Sequence, residues 1–131
     1  GVIAYLRRQA VARGNVFVWG FDPLIYLLTE STPPTRFVSN LALVSPWSPP
    51  RWREELVCDL KKSPPRFLVV ARDDAVPYIT YSARDSKEYL EIYPELASFL
   101  SERYEESESF RNFEVYRRTE IGRTNAPSVP P

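Results

Sequence analysis

Apolar residues fall along this chain in short blocks whose spacing changes from one block to the next. Between Val2 and Arg13, Ile3, Leu6 and Ala10 recur at helical spacing, and Gly14 stands where a left-handed C-terminal cap is expected. From Asn15 to Gly20 β-branched and aromatic residues run without polar alternation. That pattern suits a strand covered on both faces, as in a parallel sheet between helices. Asp22-Pro23 reads as a helix start, with Asp22 as N-cap, Pro23 in the first turn, Leu24, Leu27 and Leu28 as the apolar side, and an end near Thr29. After Pro33-Pro34, Thr35 to Ser39 is expected as a second, short strand and Leu41 to Pro50 as loop.

Past Pro49-Pro50, Trp52, Leu56 and Leu60 recur every fourth residue, with acids early and bases late as the helix dipole favours. Pro64-Pro65 ends that helix, because proline disfavours helical geometry in the residue before it. Phe67 to Ala71 then reads as a second buried strand. From Ser86 to Tyr104 a stripe of Tyr89, Tyr93, Ala97, Leu100 and Tyr104 predicts helix, either kinked at Pro94 or restarted there with the proline in the first turn. Phe110 to Arg117 is expected as the last strand, Phe113 and Val115 facing one way and Glu114 and Tyr116 the other, as at a half-exposed or edge position. The core signal stops at Thr119, so residues 1–118 read as one α/β domain and 119–131, with Pro127, Pro130 and Pro131, as a flexible tail. The order predicts an α/β fold of three layers: a helix-covered, mainly parallel sheet of about four strands joined by right-handed crossovers, the last strand adding antiparallel at an edge. Its core is expected in Phe17, Trp19, Leu24, Leu56, Leu60, Leu68, Val70, Leu96, Leu100 and Phe113.

Composition narrows the chemistry. The 131 residues carry 17 basic and 17 acidic side chains, so no overall field draws in a nucleic acid, and no nucleic-acid partner is expected. No histidine is present, which removes Ser-His-Asp triads, Cys-His pairs and His-ligated metals. Cys58 is the lone cysteine and reads as a small packed residue in a helix, since it can form no internal disulfide or multi-cysteine metal site. No apolar run approaches the ~20 residues that a spanning helix needs. The chain has no methionine and opens abruptly on Gly1-Val2-Ile3, which reads as a piece cut from a longer protein.

In an open α/β sheet, ligands sit beyond the carboxyl ends of the parallel strands. Those ends carry Gly20-Phe21-Asp22, Ser39-Asn40 and Arg72-Asp73-Asp74, so the expected ligand-facing rim is Trp19, Phe21, Asp22, Asn40, Arg72, Asp73 and Asp74. Aromatic faces beside carboxylates suit a carbohydrate's apolar faces and hydroxyls. A hard cation held by Asp22, Asp73 and Asp74 is the sharper alternative, but Asp22 as a cap and Asp73-Asp74 as a polar turn is the stronger reading, and no metal or cofactor is expected. Gly20 lacks the other glycines of a dinucleotide fingerprint. Adjacent Asp73 and Asp74 should point apart rather than share a substrate, so no catalytic residue is assigned. Trp47 and Trp52 near loops are core or interface residues by default, and sugar-stacking or membrane-interface groups if exposed. The acidic run Glu102, Glu105, Glu106 and Glu108 reads as a solvated helix end.

One stretch is more specific. V-F-V-W-G-F-D-P-L-I-Y-L-L followed by T-P-P-T-R-F resembles the region after the last transmembrane helix of polyprenyl-phosphate-sugar-dependent membrane glycosyltransferases, the protein O-mannosyltransferase-like superfamily. D-L-K-K-S-P-P-R-F-L-V-V, Y-P-E-L and F-E-V-Y-R-R resemble later pieces of the same group in order, so the likeness spans about Ile3 to Arg118. The resemblance implies a non-catalytic C-terminal domain of a bacterial membrane protein, lying on the extracytoplasmic (periplasmic) side. Its implied partners are the transmembrane portion of the same polypeptide and a polyprenyl-phosphate sugar donor or an acceptor. The implied role is to help recognise the acceptor or shape access to the membrane active site. The family's catalytic acids lie in a loop outside this chain, so none carries over, and Asp22 does not inherit that role. The alternative is an independent cytosolic α/β module binding a small ligand or a protein.

Overall fold

The computed structural model describes residues 1–9 and 15–119. The expected far end of the first helix with its Gly14 cap, and the tail beyond Thr119, lie outside the described residues. In order, the elements are α1 (Val2–Arg8), β1 (Val16–Trp19), α2 (Leu24–Thr29), α3 (Leu41–Val44), α4 (Pro50–Lys62), β2 (Phe67–Ala71), α5 (Pro77–Thr80), α6 (Ser86–Ile92), α7 (Pro94–Arg103), β3 (Tyr104–Ser109) and β4 (Phe113–Arg118). They form an α/β structure around one four-stranded mixed sheet of order β1-β2-β4-β3. Among the described residues no helix is long and apolar enough to cross a membrane.

Strand alternation builds the layers. Phe17 and Trp19 of β1 with Leu68 and Val70 of β2 point to one face, where α4, α6 and α7 supply Leu56, Leu60, Tyr89, Leu96, Phe99 and Leu100. Val16, Val18, Phe67 and Val69, with Val115 of β4, point to the other, where α1 and α2 supply Val2, Leu6, Ile25 and Tyr26. Both faces of β1 and β2 are therefore dry, as their unbroken apolar runs require. Pro50 opens α4 and Lys61 and Lys62 close it, and Pro94 starts α7 after Tyr93 leaves helical geometry at ψ 100°. The second of the two readings of that proline, a new helix, is the one adopted.

Several expectations are corrected. Thr35 to Ser39 makes no strand; the segment closes over the carboxyl end of β1 through side-chain bonds instead. Leu41 to Val44, expected as loop, is a single helical turn. The pairing is mixed rather than mainly parallel: β1 and β2 run parallel, whereas β4 is antiparallel to both β2 and β3. The last strand is interior, lying between β2 and β3, because the short link from Ser109 to Phe113 folds β3 back on it as a hairpin. Of the acidic run only Glu102 lies at a helix end, in the last turn of α7; the other three glutamates belong to that outer strand. Glu105, Glu106 and Glu108 with a register shift between Glu106 and Glu108 give β3 a charged, irregular free edge, which resists pairing with another chain.

Helix α2 also turns the other way. It buries Ile25, Tyr26 and Thr29, while Leu24, Leu27 and Leu28 face out, Leu27 at 73% exposure. Leu24 thus leaves the expected core, and Phe113 is only half-buried at its margin. The cause is polar. Val18 on the outer edge of β1 donates its N–H to the Tyr26 hydroxyl at 2.7 Å, a bond only the Tyr26 face of α2 can make. Burial pushes the Tyr26 phenol far above its ordinary range, despite the Val18 N–H, so it stays protonated. Removing it leaves a buried N–H orphaned.

Urea denaturation checks this orientation. Ile25→Ala is expected to cost about 2–5 kcal/mol and Tyr26→Phe about 1–3 kcal/mol. Leu27→Ala should stay within about 0.5 kcal/mol. A Leu27→Ala loss as large as that of Ile25→Ala would show α2 to be rotated.

Candidate functional site

The carboxyl ends of β1 and β2 converge on Ser86, a residue that pattern reasoning passed over. At β1's end Gly20 lies beside Ala71, and a Cβ on it would meet the Ala71 Cβ at 3.0 Å, so any other residue would press Ala71 aside by a few tenths of an ångström. The Gly20 carbonyl accepts the Asn40 N–H at 3.0 Å. Asn40 Nδ2 donates to Ser86 Oγ at 3.0 Å, and Ser86 Oγ donates to Asp74 Oδ2 at 2.6 Å. Asp74 Oδ1 takes the Ser86 N–H at 2.8 Å, while the Ser86 carbonyl accepts the Trp19 indole N–H at 2.7 Å. Three of the expected rim positions, Trp19, Asn40 and Asp74, are thus gathered by one serine at the start of α6. The local signal was Asp85 with Glu88, a capping box whose reciprocal bonds start the helix at that serine.

These residues are occupied with structure. Trp19 is fully buried and does not reach the rim, and Asn40 is buried with its Oδ1 lacking a protein partner. Phe21 is half-buried against the α4 side of the core. Asp22 Oδ1 accepts the Leu24 N–H at 2.9 Å, holding the turn into α2. Asp73 sits at φ 59° and gives its N–H to Asp85 Oδ2. The Asp74 carboxylate is taken up by Ser86, whereas at Asp73 it is the backbone N–H that is bonded. Among the described residues no three of Asp, Glu, Cys or His gather as a metal site, so Asp22, Asp73 and Asp74 do not converge on a cation.

Arg72 serves a second network. Glu114 on β4, expected at an exposed face, is only 4% exposed, because α6 covers that part of the sheet. Its Oε2 accepts Lys87 Nζ at 2.6 Å and Arg72 Nη1 at 3.1 Å, and its Oε1 accepts the Tyr116 hydroxyl at 2.6 Å. Burial works to raise the carboxyl pKa, but bonds from Lys87 and Tyr116 and the charges of Lys87 and Arg72 win and hold it below the ordinary range. Glu114's bond raises Lys87 in turn. Burial and the Glu114 bond drive the Tyr116 phenol far up. Arg72 also bonds Ser109 Oγ and the Phe110 and Arg111 carbonyls, tying β2 to the β3–β4 hairpin.

Beside the rim lies an open aromatic groove of about 390 Å³, bounded by Arg36 to Ser39, Leu41, Ala42, Trp47 and Trp52. Ser39 Oγ, bonded to the Phe21 carbonyl, hangs it on the end of β1. The Arg36 guanidinium stands 4.4 Å from the Phe37 ring centroid and 5.5 Å from that of Trp52, and Glu55 holds it with two bonds of 2.7 and 3.0 Å. That pairing raises Arg36 and lowers Glu55. Trp52 is half-buried while Trp47 is 62% exposed, so of the two only Trp47 presents an open ring. Tyr78 and Tyr81, also missed in the sequence, project from the link between β2 and α6, Tyr81 at φ 57°. Comparison with protein-family models, curated proteins and solved structures finds no match.

Glu114 yields a signed pH dependence. A carboxyl depressed in the native state contributes its full stability above its unfolded pKa and loses it as pH falls through the native value. Glu114→Gln should therefore cost about 1–3 kcal/mol at pH 7 by leaving two cations short of a partner, and the gap to wild type should close below about pH 4. A gap unchanged down to pH 3 would remove Glu114 as the linked group.

Proposed function

We propose that this chain is a non-catalytic, extracytoplasmic recognition domain of a lipid-phosphate-sugar-dependent membrane glycosyltransferase of the protein O-mannosyltransferase-like superfamily. It helps recognise the acceptor, or shapes its access to an active site in the membrane portion of the same polypeptide. The observation that carries this reading is the aromatic groove. It is built on the T-R-F stretch that bears the resemblance, it adjoins the carboxyl-end rim, and it offers the Trp47 ring to a sugar's apolar face or an acceptor side chain.

Two further features support it. The side chains of Asp22, Asp74 and Glu114 are each bonded to groups of the chain itself, which suits a scaffold more than an acid–base pair. The outward leucines of α2, with Arg7 Nε bonded to the Leu28 carbonyl beside them, form an apolar face of the kind that docks on a membrane-embedded partner. W-G-F-D-P is then a folding motif: Trp19 fills the core, Gly20 clears Ala71 and Asp22 ties the turn.

NMR titration of the chain with oligosaccharides and with a short-chain polyprenyl-phosphate sugar, each with candidate acceptors, tests the reading. Saturable shifts at Trp47 and Trp52, lost in Trp47→Ala, are expected, with no sugar transferred. Turnover by the isolated chain that vanishes in Asp74→Asn, or the absence of any shift in the groove, would overturn it.

A further inference from the structure

The far end of the sheet, away from the rim and groove, carries a second and different surface. Although the chain is neutral overall, a polar cavity of about 360 Å³ there is lined by Arg66, Glu105, Arg117, Arg118 and Thr119. We propose that this cavity is an anion site that takes a phosphate-type group through the guanidinium forks of Arg66 and Arg117.

Pairing brings those two forks together. Phe67 on β2 stands directly opposite Arg117 on β4, so their side chains share the sheet face that packs on α1. Arg66, one residue before Phe67, folds its guanidinium over the Phe67 ring, 5.0 Å from the centroid, and donates Nη1 to the Gln9 carbonyl at 2.8 Å. The head of Arg66 is thus positioned by an aromatic ring and a carbonyl, neither of which neutralises it. Arg118 builds the wall: its N–H bonds the Arg66 carbonyl at 2.9 Å and its Nη1 the Pro64 carbonyl at 2.7 Å. Thr119 closes the rim, giving both N–H and hydroxyl to the Arg103 carbonyl.

Each guanidinium has five N–H donors in a planar fork that matches the oxygens of a tetrahedral oxyanion. Among the described residues, the bonds found use one such donor on Arg66 and one on Arg117. The carboxylate facing Arg117 is Glu105, its cross-strand partner on β3, at 3.4 Å with both side chains more than half exposed. A pair so long and so wet contributes little and gives way to a better ligand. Three arginines against one glutamate leave the cavity positive, and its size leaves room for the molecule that carries the phosphate. Lysines would offer point charges here; arginines offer paired donors.

The test uses the 131-residue chain with inorganic phosphate and phenyl phosphate, followed by NMR at low salt. Saturable shifts at Arg66, Arg117 and Thr119 are expected, weakened about tenfold in Arg66→Gln and in Arg117→Gln and tightened in Glu105→Gln, where a competing charge is gone. Arg117 and Glu105 are exposed, so those variants keep the fold, and unchanged thermal midpoints verify it. Phosphatidylcholine vesicles with and without phosphatidic acid identify the source. Retention on phosphatidic acid that phenyl phosphate displaces assigns a lipid headgroup, and soluble binding without retention assigns a free phosphate ester. No saturable shift, or equal affinity in wild type, Arg117→Gln and Glu105→Gln, overturns the site.

Discussion

A strand that is dry on both faces and lies at the edge of its sheet must satisfy its outer backbone groups without a neighbouring strand. β1 is such a strand, and much of the molecule follows from how it meets that demand. On one side of the sheet Tyr26 lends its hydroxyl to Val18 N–H; past the strand's end the chain returns so that Asn40 N–H reaches the Gly20 carbonyl. The first bond orients α2 and sends its leucines outward. The second lays residues 37–40 across the top of β1, where Phe37 joins the core and Arg36, Val38 and Ser39 edge the aromatic groove. A strand between Thr35 and Ser39 would have covered the same edge with a ladder. In place of a ladder, one tyrosine hydroxyl at Val18 and one backbone bond at Gly20 meet the demand.

The two buried polar networks divide the labour. Ser86 with Asp74, Asn40 and Trp19 joins β1, the β2 exit and α6, while Glu114 with Arg72, Lys87 and Tyr116 joins β2, β4 and α6. Both act through α6, so the loop from Asp73 to Asp85 is pinned at each end while Tyr78 and Tyr81 between them stay in solvent. Charges buried in this way are costly unless every partner is present, and Glu114 has three. The consequence is a rigid platform with its adaptable surfaces at its margins: a groove at one end, an arginine-lined cavity at the other, and the leucines of α2 along one helical layer.

Periodicity and punctuation by themselves determined the α/β class, the two buried strands, α4 with its proline boundaries, and an interruption at Pro94 that the structure resolves as a new helix, because each rests on contacts close in sequence or on residues whose backbone geometry is restricted. The same local reasoning expected Asp22 as N-cap with Pro23 in the first turn; the N-cap of α2 is instead Pro23, and the Asp22 carboxylate takes the Leu24 N–H just inside the helix. Tertiary structure alone decided which face of α2 is buried, since leucines at 24, 27 and 28 present a better apolar stripe than Ile25, Tyr26 and Thr29 until Val18 N–H needs a partner. It also decided that Tyr104 to Ser109 is a strand, although Glu105, Glu106 and Glu108 have low strand propensity: pairing with β4 outweighs that preference at an edge where the glutamates remain solvated. Last, it decided that Glu114 is a buried ion. Alternation correctly placed Glu114 opposite Val115, but only the arrival of α6 with Lys87, from 27 residues away, made that side interior and supplied the charge that allows a carboxylate to stay there.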